Sequence, residues 1–173
     1  MRILTLPNCL SLSRVVLAPP TAWALVHGPA ALTVALFGAV VVSDLFDGPL
    51  ARRRQLESRL GTLLDHGADA VFVITLSATG AWLGVLPPVL PPLIALAFAQ
   101  YALDARALGG SALGRWNGIA YFVLVGALIG VHQCTDAALP AGLLRALGWV
   151  LVASTLASML ERGVRAGRTR HLS

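Results

Sequence analysis

The chain has 173 residues, of which 57% are hydrophobic and only 12% are charged, and its mean hydropathy is +0.77. Soluble domains carry roughly 25% charged residues, so this composition excludes an ordinary soluble protein and indicates several membrane-spanning helices. The net charge is +5 and arginine supplies all of the positive charge. Arginines that flank membrane spans explain this charge without a nucleic-acid partner.

Apolar runs predict an all-α, polytopic membrane protein with six transmembrane helices in a single domain, 1–173. The predicted spans are 11–27, 30–47, 60–86, 93–108, 116–132 and 141–160. They follow a short N-terminal segment, 1–10, and precede a basic tail, 161–173. Between the second and third spans, Gly48-Pro49 and the arginines at 52–54 are expected to turn the chain, because glycine and proline interrupt helices.

The arginines predict how these helices are oriented in the membrane. Six spans place alternate loops on the same side, and every arginine except Arg145 then falls on one side. Because cytoplasmic loops are enriched in arginine and lysine, both termini are predicted to be cytoplasmic. We expect the bilayer to be a bacterial inner membrane, and we expect the tail arginines to contact anionic lipid head groups.

Four aspartates lie at the end of the second predicted span and the start of the third: Asp44, Asp47, Asp65 and Asp69. Residues three or four apart share one face of a helix, so a hairpin of the two helices would bring both pairs into one cleft near the cytoplasmic interface. Four carboxylates in such a low-dielectric place need a cation. Oxygen ligands favour Mg²⁺ or Mn²⁺. We therefore predict two divalent ions bridged by carboxylates, an arrangement that supports phosphoryl transfer.

Two alternatives fit the same acids. They could form interface salt bridges with the arginines between 52 and 59, or they could mark the ion path of a small divalent-cation or proton-coupled transporter. A path needs polar residues that continue across the membrane. Beyond Asp69, the third span offers only Thr75, Ser77 and Thr79. Because the acids stop near one face of the membrane, transport is disfavoured.

The spacing of the acids belongs to a longer pattern. It reads Asp44-x2-Asp47-Gly48-x2-Ala51-Arg52-x8-Gly61-x3-Asp65-x3-Asp69. This pattern resembles, without a gap, the signature of the CDP-alcohol phosphatidyltransferase family, whose fold is also built from six membrane helices. The opening residues, Pro7-Asn8-x2-Ser11-x2-Arg14, are similar to the start of the phosphatidylglycerophosphate-synthase branch.

The resemblance implies an enzyme of phospholipid biosynthesis that moves the phosphatidyl group of CDP-diacylglycerol onto an alcohol and releases CMP. The four aspartates would hold two Mg²⁺ or Mn²⁺ ions, and Asp69 would also take the proton of the acceptor hydroxyl. Gly48, Ala51, Arg52 and Gly61 would bind the CDP moiety, although the glycines also suit close helix packing. A homodimer is implied as well. An inactive scaffold is disfavoured, because every residue of the signature is present.

The acceptor alcohol is less well defined. In the glycerophosphate branch, a lysine commonly follows the last aspartate and a basic stretch follows the fourth span. Here Ala70 and the segment 114–117 stand at those places. Arg106 and Arg115 remain as candidates for binding an acceptor phosphate, or they act as interfacial anchors. Glycerol 3-phosphate is the predicted acceptor; inositol phosphate, another polyol phosphate and an amino alcohol stay open.

His66 lies next to Asp65 in sequence, but about 100° around the helix from it. We therefore expect its side chain to face away from the acids, in a packing or interfacial role.

Overall fold

The computed structural model of the protein describes the backbone of residues 6–53, 59–104, 112–133 and 141–170, and side chains within 11–43, 61–103, 112–133 and 142–165. These residues form six helices: α1 (Leu6–His27), α2 (Ala30–Arg53), α3 (Arg59–Trp82), α4 (Leu90–Asp104), α5 (Ala112–Gln133) and α6 (Ala141–Arg170). No strand occurs in the described ranges, which confirms the all-α class. The single-domain organisation stays a prediction.

Several helix ends differ from the predicted ones. α1 begins at Leu6 instead of 11, α4 comprises Leu90–Asp104 instead of 93–108, and α5 begins at Ala112 instead of 116. α2 continues through Gly48-Pro49 to Arg53, so the turn predicted at these residues does not occur there; membrane helices tolerate proline when neighbouring groups satisfy the backbone. α3 ends at Trp82, shortly before Gly84, whose φ of 72° lies in the left-handed region that favours glycine. α6 continues to Arg170, so the first part of the basic tail is helical.

Two helices in the described part of the chain are long and apolar enough to cross a membrane. They comprise Ala112–Gln133 and Gly142–Arg165, and two shorter apolar helical stretches comprise Ala30–Ser43 and Leu90–Leu103. By length and composition, these segments agree with the predicted membrane protein. The count of six spans is not established by them and stays a prediction.

Hydrogen bonds between helix ends show which ends lie together. The amide nitrogen of Gln133, at the end of α5, donates to the carbonyls of Ala24 and Leu25 near the end of α1, at 3.0 and 2.7 Å. Arg145, near the start of α6, donates to the carbonyl of Gly84 just after α3, at 2.6 Å. The ends of α1 and α5 therefore lie together, and so do the end of α3 and the start of α6. The starts of α1 and α3 meet where Arg14 contacts Asp65 and Asp69, and a cavity there also reaches the start of α5.

α1 packs most extensively against α3 and also packs against α2. The buried core includes Leu25 of α1, Phe72 and Leu76 of α3, and Leu128 of α5. The rings of Phe37 on α2 and Phe72 on α3 stack with centroids 6.2 Å apart. This packing holds the first turns of α1 against the acid-bearing part of α3.

Candidate active site

Asp65 and Asp69 are held from one side by α1. They lie one helical turn apart on α3, and their side chains are 36% and 29% exposed. Arg14, which is completely buried, contacts both: its Nη2 lies 2.9 Å from Oδ1 of Asp65, and its Nη1 forms an ion pair with Oδ1 of Asp69. Ser11 Oγ donates to the same Asp65 oxygen at 3.0 Å. The two acids therefore form one charged cluster with an arginine from the first helix.

Asp69 also lines a cavity of about 700 Å³ at this end of the bundle. Such a volume is typical of small-molecule sites, which measure ~300–1,000 Å³. Side chains from five helices, α2 to α6, form its wall, and they include Val41, His66, Asp69, Tyr101, Arg115 and Arg162. The cavity can therefore admit an organic ligand beside a carboxylate.

Two arginines line this cavity together with Asp69. Arg115 extends from the first turn of α5 and is exposed, whereas Arg162 lies near the end of α6 and is half-buried. Arg162 Nη2 lies 3.2 Å from the hydroxyl of Ser158, and its Nη1 lies 3.4 Å from the carbonyl of Ala97 on α4. Guanidinium groups bind phosphate with paired N–H donors, so the cavity combines an acid with two groups suited to an anion.

Side-chain hydrogen bonds between α5 and α6 fix the cavity wall near these arginines. Ser154 donates to the side-chain oxygen of Asn117 at 2.6 Å, and the hydroxyls of Tyr121 and Thr155 bond to each other. Asn117 and Tyr121 both line the cavity. Because Asn117 and Tyr121 each form a side-chain hydrogen bond to α6, these contacts set the position of α5 relative to α6.

The structure describes only part of the predicted site. It brings Asp65 and Asp69 together, and it places Gly61 one turn before Asp65 on α3. Among the described side chains, no group of three or more histidines, cysteines, aspartates or glutamates is placed to hold a metal ion. The other predicted site residues lie outside the described side chains: Asp44, Asp47, Gly48, Ala51, Arg52 and Arg106.

Asp65 and Asp69, the two predicted metal ligands whose side chains are described, fit a divalent ion. Two carboxylates one turn apart supply the oxygen ligands that hard cations prefer. Val41 of α2 lines the same cavity as Asp69, and α2 remains helical beyond it. The cavity therefore lies between α2 and the acid-bearing part of α3.

Several residues of the site were not predicted as such. Arg162 was expected to contact lipid head groups with the rest of the tail, and it lines the cavity instead. His66 stacks on Tyr101 with ring centroids 5.3 Å apart, which agrees with the expected packing role. It was also expected to face away from the acids, yet it lines the same cavity as Asp69. The spacing contained the signal in both cases, because His66 lies three residues before Asp69, and Arg162 lies four after Ser158.

Comparison with known proteins assigns the chain to a family. The profile of the CDP-alcohol phosphatidyltransferase family matches residues 4–159, and the chain belongs to this family. It is 39% identical over 95 residues to a cardiolipin synthase (CMP-forming) of Streptomyces coelicolor, a match that covers 50% of this chain and 43% of the relative.

Two further relatives are named CDP-diacylglycerol–glycerol-3-phosphate 3-phosphatidyltransferase. The one from Cereibacter sphaeroides is 31% identical over 138 residues, 72% of this chain and 62% of the relative. The chloroplastic one from Oryza sativa is 34% identical over 131 residues, 73% of this chain and 39% of the relative. No solved structure matches the chain.

These matches confirm the family predicted from the aspartate signature. They include the glycerophosphate branch that the opening residues resemble, together with cardiolipin synthases. Family members generally use divalent metal ions. The chain spans less than two thirds of the length of each of the three relatives.

Proposed function

We propose that the protein is an integral-membrane enzyme that transfers the phosphatidyl group of CDP-diacylglycerol to a glycerol hydroxyl of a phosphate-bearing acceptor, with release of CMP. Glycerol 3-phosphate is the acceptor that we consider first. The observation that supports this proposal is the cavity in which Asp69 lies together with Arg115 and Arg162. A carboxylate can receive the proton of a hydroxyl, and the guanidinium groups can hold the phosphate of the same acceptor.

Each of these side chains has a separate role in the proposed reaction. The acceptor phosphate binds to Arg115 and Arg162, with Arg106 as a further candidate, and this positions the hydroxyl near Asp69. The hydroxyl oxygen attacks the phosphorus that carries the diacylglycerol, while Asp69 takes its proton. The bond from that phosphorus to the CMP oxygen breaks, and CMP leaves with the electron pair. Gly48, Ala51, Arg52 and Gly61 remain our candidates for contact with the CDP moiety.

We assign the metal ligands to Asp44, Asp47, Asp65 and Asp69, with two Mg²⁺ or Mn²⁺ ions. When bound, such ions offset the negative charge of the diphosphate and of the leaving CMP. The position of Asp65 and Asp69 one turn apart on α3 supports their part of this assignment, and the family signature supports Asp44 and Asp47.

A second acceptor, phosphatidylglycerol, is favoured by the similarity to the cardiolipin synthase of Streptomyces coelicolor. This lipid also presents a glycerol hydroxyl and a phosphate. Asp69 would therefore again take the proton of the hydroxyl, and the two arginines would again bind the phosphate. Transfer of a second phosphatidyl group to it would yield cardiolipin. Inositol phosphate, other polyol phosphates and amino alcohols find no such support among the three relatives.

An acceptor panel tests the proposed activity. Purified protein is supplied with CDP-diacylglycerol, Mn²⁺ or Mg²⁺, and one acceptor at a time: glycerol 3-phosphate, phosphatidylglycerol, inositol phosphate or an amino alcohol. We expect CMP release that requires both the metal and a glycerol-based acceptor, and mass spectrometry of the lipid product identifies which one. CMP release with none of the acceptors would contradict the proposal.

We further propose six membrane spans in a bacterial inner membrane with both termini cytoplasmic, and a homodimer as the assembly. The distribution of arginines supports this orientation. Arg145 lies at the opposite end of the bundle from Arg14, Arg115 and Arg162, beside Gly84. A reporter that is active only in the cytoplasm is expected to be active when fused after Ser173. A reporter that is active only after export is expected to be inactive at the same position. The reverse result would refute the six-span count.

A further inference from the structure

We infer that Arg14 is a positioning residue for the metal site: it is the resident counter-ion that orders Asp65 and Asp69 and keeps the site folded before a divalent ion binds. The inference rests on the proposed metal-dependent function. Its observation is the bridging contact, in which the two terminal nitrogens of one guanidinium each bind a different carboxylate. Neither Ser11 nor Arg14 is among the site residues predicted from the sequence.

Burial separates Arg14 from groups that could touch a substrate. Its side chain has no exposed surface, whereas Asp69 is 29% exposed and lines the cavity. The guanidinium therefore reaches the carboxylates from the protein interior, and Arg14 is not among the residues that line the cavity. Ser11, which is also buried, adds a hydrogen bond to the Asp65 oxygen that Arg14 contacts.

The geometry of the contact requires arginine. Asp65 and Asp69 are four residues apart, so their carboxylates project from successive turns of α3. A planar guanidinium with its donors in a fixed fork can contact both at once, whereas the ammonium of lysine is a single point charge. Partners of this kind that orient metal-ligating side chains are as much a part of a metal site as the ligands themselves.

Arg14 and a divalent ion can each compensate the negative charge of Asp65 and Asp69. Loss of Arg14 would leave two neighbouring carboxylates, 36% and 29% exposed, without their shared counter-ion, and uncompensated charge at a partly buried site is destabilising. A divalent ion at Asp65 and Asp69 can supply that compensation. Without Arg14, the stability of the protein should therefore depend on metal much more than it does in the wild type.

Thermal unfolding of the full chain in detergent, with EDTA or with Mn²⁺, tests this inference. In EDTA we expect Arg14→Gln to lower the unfolding midpoint by about 10 °C, and we expect Mn²⁺ to raise the midpoint of the variant by several degrees more than that of the wild type. Arg14→Lys keeps the positive charge but loses the paired guanidinium donors. Its unfolding midpoint in EDTA should therefore lie between those of the wild type and Arg14→Gln. Arg165→Gln removes an exposed arginine that pairs with Glu161 and should match the wild type in both conditions.

The outcomes separate this inference from the proposed function. A destabilised Arg14→Gln whose midpoint Mn²⁺ raises no more than that of the wild type would overturn the inference, because Arg14 would then be an ordinary buried ion-pair partner. If Arg14→Gln fails to fold, Arg14→Lys is judged by the same criterion. A wild-type protein that neither shifts with Mn²⁺ nor releases CMP would instead refute the proposed function.

Discussion

Asp69→Asn is expected to lower the rate of CMP release about 10³-fold, since a positioned general base contributes ~10²–10⁴-fold. The substitution preserves the size of the side chain and an oxygen that can accept the hydrogen bond from Arg14. It removes the negative charge that receives the proton and, under our assignment, binds metal. The measurement is the initial rate of CMP release at saturating Mn²⁺, CDP-diacylglycerol and glycerol 3-phosphate or phosphatidylglycerol.

Glu161→Gln is the matched control for this change. It also replaces an acid by its amide, but Glu161 lies on α6 and pairs with Arg165 one turn away. Exposed pairs of this kind contribute ~0–1 kcal/mol to stability, so we expect both the rate and the unfolding midpoint to stay near wild type. Turnover of Asp69→Asn within a few fold of wild type would exclude Asp69 as the base.

The sequence was sufficient to predict the helices, because long apolar runs separated by charges and prolines leave few other structures in a membrane. It was weaker at helix ends. Gly48-Pro49 interrupts the apolar run, yet α2 continues to Arg53. Glycine and proline lower helix propensity, but this local preference alone does not determine where a helix ends.

The acid pair at Asp65 and Asp69 was predictable from helical spacing alone, but its surroundings were not. Arg14 lies 51 residues before Asp65, and nothing local in the sequence specifies that α1 packs on the acid-bearing part of α3. Arg162 was grouped with the other tail arginines because of charge. Its distinct position follows from the polar stripe formed with Thr155 and Ser158 on one side of α6, which a helix in lipid rarely carries without a polar neighbour.

Arg162→Gln is expected to raise the KM for the acceptor about 10- to 100-fold. A hydrogen bond to a charged group contributes ~1.5–3 kcal/mol, and each ~1.4 kcal/mol corresponds to a tenfold change in binding. The KM for CDP-diacylglycerol should change little, because the substituted group acts on the acceptor phosphate. Steady-state kinetics with each substrate varied in turn separate these two effects.

Arg165→Gln provides the matched control, because it removes an arginine from the next turn of α6 that is exposed and pairs with Glu161. If α6 arginines acted only through anionic lipids, both substitutions would change activity alike, and both effects would depend on the lipid content of the vesicles. A selective rise in acceptor KM for Arg162→Gln alone, at constant lipid composition, is what a phosphate-binding role requires. An unchanged acceptor KM would exclude Arg162 as a phosphate-binding residue and would support the predicted contact with lipid head groups. Arg115 and Arg106 would then be the candidates for binding the phosphate.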